Sequence, residues 1–291
     1  MLLLASRRRV VSSLPTIVLL AATIAAGLGA RTLAPTTGLA TTPDVTEEML
    51  LGGVFATIPP DVSWVGIDRV TLAPGAVRPV GKTENEGVGP WLYRVESGAL
   101  TVVADGPMAV RRAGAPQAGV VGPGVAATLH PGDRGSTASS VGALWRNSTN
   151  QPTTVLEAAI TARTDMGDPN GVNTVTLVGD CSSHPLTIPD QPVAIGLRRV
   201  TLPTGATLAA ARIAGLTAFA VDAGALTVDD AGGAGSAPGS FTIRTGDGRT
   251  FGGFGYREVP AGWVFRNAAR APVQLLVLTV TPADPLLTPR G

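Results

Sequence analysis

Few residues in this chain of 291 have the types that do chemistry, and their spacing limits what each could do. There are two histidines, His130 and His184, and one cysteine, Cys181. Cys181-x2-His184 has the local spacing of half a zinc site, but tetrahedral zinc takes three or four protein ligands and no second half follows. His184 precedes Pro185 and reads as a turn residue; His130, in LHPGD, precedes a Pro-Gly turn and reads as exposed. Glu84 and Glu86, flanking Asn85, could chelate Ca²⁺ or work as a paired acid and base, and the competing reading is a solvated acidic loop. No Gly-x-Ser-x-Gly element frames a nucleophilic serine. Asn147-Ser-Thr spells a glycosylation sequon, inside a turn that the fold itself uses. A single cysteine excludes an internal disulfide.

The elements that must hold these residues are short strands. Gly 37 and Pro 24 are high, charged residues are 15%, and aromatics are 4%, with Ala, Val, Thr and Leu abundant. That composition favours strands and turns over helices. The net charge of +1 gives no electrostatic case for nucleic acid as a partner. At the N-terminus, Arg7, Arg8 and Arg9 precede a largely apolar run, Val10 to Ala30. Residues 1–30 therefore read as a hydrophobic helix, either a signal peptide or a membrane anchor. SRRRVV at 6–11 is loosely similar to a twin-arginine signal. Cleaved or retained, the segment places the rest of the chain outside the cytoplasm, and only if retained does it make the membrane a partner.

The body of the chain is written twice. GIDRVTLAPGA at 66–76 matches GLRRVTLPTGA at 196–206, and SGALTV at 97–102 matches AGALTV at 223–228. LWRNSTNQPTTVLEAAIT at 144–161 matches VFRNAARAPVQLLVLTVT at 264–281. Order is kept while the offset drifts from 130 to 126 to 120, as duplication with loop drift produces. A unit near 100 residues is a whole domain. Segments of 5–10 residues punctuated by Pro-Gly and Ser-Gly turns imply a sandwich or barrel. The resulting division is 31–63 as a spacer, with a short helical candidate around Thr46–Leu51, then 64–161 as the first barrel. Residues 162–192 read as a linker carrying one strand at Val175–Val178, 193–281 as the second barrel, and 282–291 as a tail.

With its paired glycines, prolines and asparagines the chain resembles the cupin superfamily, as a bicupin of two tandem jelly-roll barrels. Gly75 and Gly98 correspond to the two ends of the first cupin motif, Gly132-Asp133 opens the second and Asn147 closes it. In the second copy Gly205 and Gly224 bracket the first motif, and Pro260-Ala-Gly262 with Asn267 forms the second. The resemblance implies an all-β fold of two tandem jelly-roll barrels after the N-terminal helix. It also implies a metal held by three histidines and a glutamate, and there this chain departs. The positions carried over hold Ala143 and Trp263 for the last histidine and Trp91 and Thr217 for the glutamate. The His-x-His positions fall on Glu84 and Glu86 (or one residue later) and on Ala210 and Arg212 (or one residue later). Two histidines cannot make a three-histidine site, so neither a metal nor another cofactor is expected.

Side chains alternate across a strand, so Trp91 facing inward takes Tyr93 and Val95 with it. Ala143 and Trp145 follow in the first barrel; Thr217, Phe219, Val221, Trp263 and Phe265 in the second. Two readings stand. Large rings fill a small barrel, or they line a cavity for a small apolar ligand. The candidate binding residues are Glu84, Glu86, Trp91, Tyr93 and Trp145 in barrel 1, and Thr217, Phe219, Trp263 and Phe265 in barrel 2. The function expected is an extracytoplasmic, non-catalytic ligand-binding or interaction module. The alternative is a metal-independent or atypical-metal isomerase or lyase acting in barrel 1, with Glu84, Glu86 and Tyr93 as its titratable groups.

Overall fold

A computed structural model describes residues 45–58, 64–81, 89–161, 168–181, 188, 191–209, 216–230, 239–251 and 263–283. The N-terminal hydrophobic segment, Glu84, Glu86 and His184 lie outside these. Among the described residues no helix is long and apolar enough to cross a membrane. Every regular element described is a strand. The chain opens with β1 (Thr46–Phe55), so the helical candidate around Thr46–Leu51 is corrected to strand. Its apolar residues are held by pairing along their length with a distant strand, which local helix propensity does not register.

The first repeat continues with β2 (Trp64–Leu72), β3 (Val77–Val80), β4 (Trp91–Ser97), β5 (Leu100–Ala104), β6 (Met108–Arg111) and β7 (Gly119–Val121). It closes with β8 (Ala126–Leu129), β9 (Arg134–Thr137), β10 (Ala143–Arg146) and β11 (Thr153–Thr161), and β12 (Val172–Cys181) follows. The second repeat holds β13 (Val193–Leu202), β14 (Thr207–Ala209), β15 (Leu216–Ala223) and β16 (Ala225–Asp230). Its last strands are β17 (Gly239–Arg244), β18 (Gly248–Phe251), β19 (Trp263–Arg266) and β20 (Val273–Pro282).

The strand orders are those of jelly rolls. In the first repeat β2-β11-β4-β9 faces β3-β10-β5-β8; in the second β13-β20-β15-β18 faces β14-β19-β16-β17. All pairings are antiparallel, and apart from the hairpins β6–β7 and β16–β17 consecutive strands within a repeat alternate between facing sheets, the double Greek key of the jelly roll. The hairpin β6–β7 extends the first sheet beyond β9. The segments read as connectors also supply strands, and each adds to the other repeat. β1, which precedes the first barrel, pairs with β13 of the second; β12, which precedes the second, pairs with β2 of the first. Both carry a bulge at the equivalent place, Met49/Leu51 and Thr176/Val178, which turns the extra leucine, Leu50 or Leu177, into the core.

The core has three layers. One fills barrel 1 between its sheets, one fills barrel 2, and a third lies between the barrels, where Leu50, Ile67, Leu156, Ile160, Leu177, Ile195 and Leu278 meet. Because β11 and β20 are covered on both faces, their sequences read as near-continuous apolar runs rather than alternating ones. Across the middle layer runs an ion network with the symmetry of the repeat. Arg69 and Arg199 are equivalent, as are Glu96 and Asp222. Arg69 binds Glu96 at 2.7 Å and Asp222 at 2.9 Å, while Arg199 reaches Asp222 at 3.5 Å and Glu96 at 3.8 Å.

The repeated Arg-Asn phrase is a corner between the two sheets of a barrel, because β10 and β11 belong to different sheets. Asn147 is fully buried and donates both Nδ2 protons, to Leu72 O (2.9 Å) and Gln151 O (2.7 Å). Its Oδ1 accepts from Thr149 N (2.9 Å). Asn267 repeats this with Leu202 O, Ala271 O and Ala269 N, at 2.8, 2.9 and 2.9 Å. The Nδ2 that glycosylation would need is thus consumed inside the corner. Ser97-Gly98 is likewise a crossing between sheets. Gly98 has φ +76° and lies so close to Thr153 that a Cβ would meet its Oγ1 at 2.6 Å, so only glycine fits.

Asp133, in the turn before β9, is buried and receives Ala113 N (2.8 Å), His130 N (3.0 Å) and the Arg112 guanidinium (2.7 Å). Burial alone would raise its pKa; the two amides and Arg112 outweigh burial and hold it below the usual carboxylate range.

Two predictions follow from these clamps. Asn147→Ala and Asn267→Ala each lower stability by about 1–3 kcal/mol, since each leaves a buried carbonyl, Leu72 O or Leu202 O, without its donor and loosens the turn beside it; equilibrium urea unfolding measures it. Asp133 has a lowered folded pKa, so its contribution is present above the unfolded carboxylate pKa and fades as pH falls through the folded value. Asp133→Asn should cost about 1–2 kcal/mol at neutral pH, with the gap to wild type closing below about pH 4 in urea melts at stepped pH.

Candidate functional site

The interior of barrel 1 is built from side chains alternating inward on two facing sheets. On β2, β11 and β4 the inward parity falls on Asp68, Glu157 and Tyr93, which are directly paired: Asp68 opposite Glu157, Glu157 opposite Tyr93. All three are buried, at 2%, 1% and 1% exposure, in the middle of apolar strands. From the facing sheet, Arg78 on β3 reaches across and ion-pairs with Glu157. Arg78 is paired on its own sheet with Trp145, and its guanidinium lies over the Trp145 ring, 5.3 Å from the centroid. Trp145 stacks in turn on Tyr93, with centroids 4.9 Å apart.

Tyr93 extends the row to β9. Its ring lies over Gly135, where an added Cβ would meet ring carbons at 2.3 Å, and its hydroxyl donates to Met108 Sδ at 2.7 Å. Burial pushes the Tyr93 hydroxyl pKa upward, so it stays protonated. For Arg78, burial would lower the pKa; Glu157, with help from Asp68, outweighs burial and raises it, so the guanidinium is held charged. Among the described residues Glu157 Oε1, Trp91 Nε1 and Trp145 Nε1 have no hydrogen-bond partner. The site is a charged, aromatic-walled interior with one acceptor and two donors unspent, and buried groups in that state are costly unless something meets them.

Barrel 2 lacks this row, although the counterpart of Asp68 there is also charged: Arg198, which pairs with Glu47 at 3.6 Å. The positions equivalent to Arg78, Tyr93, Trp145 and Glu157 hold Leu208, Phe219, Phe265 and Val277. Phe219 and Phe265 pack edge to face at 5.3 Å, and Trp263, half-buried, contacts Phe241 at 5.2 Å and Phe265 at 6.5 Å. Thr217 is fully buried in this wall, its hydroxyl without a partner among the described residues.

Of the residues singled out from sequence, Trp91, Tyr93 and Trp145 come together inside barrel 1, and Phe219, Phe265 and Trp263 inside barrel 2. Glu84 and Glu86 lie outside the described residues. Sequence reasoning missed Asp68, Arg78 and Glu157. The signal was in the repeat itself: at 78 and 157 the first copy carries a charge where the second carries an aliphatic residue.

A cupin-type metal does not fit these residues. Among the described residues no group of three His, Cys, Asp or Glu side chains could hold an ion. His130 is 66% exposed on a turn, and the positive charge beside Glu157 is supplied by Arg78.

The fold and its interior define a class, a single chain of two jelly-roll barrels with strand exchange between them, the first barrel holding a buried Arg78–Glu157 ion pair where the second holds leucine and valine. No family model matches the chain, and no curated protein matches it. It is similar in fold to solved structures at low identity. Oxalate decarboxylase from Bacillus subtilis, whose Mn(II) centres were studied, shares 9% identity over 85% of this chain and 79% of that one, with a TM-score of 0.45. YhaK from Escherichia coli shares 14% over 80% and 93%, with a TM-score of 0.42. A cupin 2 conserved barrel domain protein from Leptotrichia buccalis shares 12% over 84% and 91%, with a TM-score of 0.36.

Arg78→Leu alone should destabilise by about 3–5 kcal/mol, since it leaves Glu157 buried without its counter-charge. Arg78→Leu with Glu157→Val, the pair found in barrel 2, should recover most of that loss. A double-mutant cycle by chemical denaturation measures the coupling, and additive losses would remove the ion pair from the account.

Proposed function

We propose that the chain is an extracytoplasmic two-barrel binding protein, with barrel 1 the ligand compartment and barrel 2 the scaffold that completes it. The observation that carries the reading is the asymmetry between equivalent interiors: Arg78, Glu157, Tyr93 and Trp145 against Leu208, Val277, Phe219 and Phe265. A barrel that only needed filling would do so with aliphatic and aromatic side chains, as the second copy does. The ligand that suits the first is small and largely apolar, meeting the aromatic walls, with a hydroxyl or amine to donate to Glu157 Oε1 and an acceptor for a tryptophan Nε1. No metal takes part in this reading. The location rests on the basic and then apolar N-terminus of the sequence.

The paired carboxylates favour a second reading. Asp68 and Glu157 occupy opposed positions on neighbouring strands with Tyr93 alongside. A bound molecule with an acidic C–H next to a carbonyl would then face a proton acceptor and a hydroxyl donor, the requirements of a metal-free isomerase or lyase.

Thermal-shift screening of the purified protein with small aromatic and aliphatic alcohols, amines and ketones tests both. A ligand should raise the wild-type Tm and quench tryptophan fluorescence, and Glu157→Gln should weaken it by about tenfold, the loss of one charge-assisted hydrogen bond. Uptake of deuterium from D₂O into a bound ligand supports the second reading; a ligand bound without exchange supports the first. If no compound shifts the Tm, or Glu157→Gln binds as well as wild type, the compartment is only packing.

A further inference from the structure

On the outer face of the barrel 1 sheet, three arginines stand in line. Arg94 on β4 is paired with Arg134 on β9, and Arg134 with Arg111 on β6. Directly opposed residues on one face have Cβ atoms about 4.5–5.5 Å apart, and like charges there are destabilising. The row continues through Leu156 to Arg69, at the ion network between the barrels. Among the described residues the charges in and beside it do not balance. Arg69, Arg94, Arg111, Arg134 and Arg199 are five cations; Glu48, Glu96 and Asp222 are three carboxylates, an excess of two positive charges.

The excess sits at the outer end. Arg94 has Glu48 at 3.1 Å, and Arg199 shares that carboxylate at 3.5 Å. Arg111 is exposed and steadied through its Nε by Ala115 O at 2.9 Å, which leaves its two terminal nitrogens directed elsewhere. Arg134 is half-buried between the two, and among the described residues it pairs with no carboxylate. Burial and the flanking arginines, Arg94 and Arg111, lower its pKa against a small opposing effect of Glu48. Barrel 2 has no such row: the positions of Arg94 and Arg134 hold Ala220 and Gly248. The neighbouring row on the same face is Val120, Ala109 and Ser136, with Val120 77% exposed.

We infer that Arg94, Arg134 and Arg111 form a surface site for a dianionic phosphate group, carried by a free phosphate compound or by a lipid headgroup. Two adjacent guanidinium forks present parallel N–H donors to the oxygens of one phosphate, and its two negative charges match the local excess. The like-charge row is tolerated because the bound anion offsets it. An exposed valine beside the arginines gives the lipid source an apolar contact that free phosphate would not use.

The test uses the full chain at low ionic strength, titrated with inorganic phosphate and, separately, with vesicles of phosphatidic acid, whose headgroup is a phosphate monoester, in phosphatidylcholine or of phosphatidylcholine alone. Phosphate should raise the wild-type Tm, and Arg111→Gln and Arg134→Gln should each weaken that effect by about tenfold. Vesicle binding that depends on phosphatidic acid and is lost in the same variants points to a headgroup; phosphate binding without it points to a free compound. Without ligand, Arg134→Gln should keep the fold and raise Tm by about 1–3 °C at low salt, the gain vanishing at high salt, because it relieves repulsion. The inference is overturned if neither probe binds, if both glutamine variants bind like wild type, or if Arg134→Gln lowers the Tm.

Discussion

Strand β1 belongs by sequence to the first repeat and by hydrogen bonding to the second, and β12 reverses the arrangement. Each principal sheet is therefore completed by the strand that leads into the other barrel. The leucines on the two bulges, Leu50 and Leu177, seat themselves in the layer between the barrels. That layer exists only when both exchanges are made, so neither barrel is a complete unit within its own stretch of chain. The Arg69–Glu96–Asp222–Arg199 network lies across the same junction and fixes the two repeats in one relative register. At side-chain exposures of 8–28% its charges are partly screened, so its contribution is to alignment more than to free energy.

Given that frame, the two interiors were free to diverge. Both keep the buried asparagine corner and the glycine crossing, because these settle where the chain passes from one sheet to the other. What lies between the sheets is not constrained in the same way. In barrel 2 the positions equivalent to Arg78, Glu157, Tyr93 and Trp145 carry leucine, valine and phenylalanine, and Thr217 is the buried polar side chain beside them. In barrel 1 they carry an arginine, a glutamate, a tyrosine and a tryptophan, arranged so that each leans on the next: guanidinium on indole, indole on phenol, phenol over a glycine that must lack a side chain. Replacing a buried pair of this kind by aliphatic residues commonly leaves stability unchanged or improves it. Its presence in one copy only is an argument for use rather than for folding.

Much of the architecture was legible in the residues. The duplicated phrases placed the repeats. The turn glycines and prolines marked the ends of strands, and strand parity put Trp91, Tyr93, Trp145, Phe219 and Phe265 facing inward. The parity argument works because side chains alternate strictly on a pleated strand. Asp68 and Glu157 are not legible in the same way, because their strands are apolar on both faces and show no alternation to read. Arg78 was hidden for another reason: β3 is four residues long and its neighbours Val77 and Pro79 are exposed, so an arginine there looks like surface.

From the sequence alone came the all-β class, the duplication, the turns at the Arg-Asn phrase and at Ser97-Gly98 and the excess of rings at inward positions, since each is carried by local spacing; that both turns cross between sheets came from the pairing of their strands. The tertiary structure decided which strands are exchanged, that the segment around Thr46–Leu51 is strand, and that Arg78, Glu157 and Asp68 meet inside one barrel while three arginines line up outside it. Those outcomes depend on register between strands 20 to 150 residues apart. A pattern read along one strand does not fix register, because sliding a partner by two residues preserves every inward and outward face while changing every neighbour.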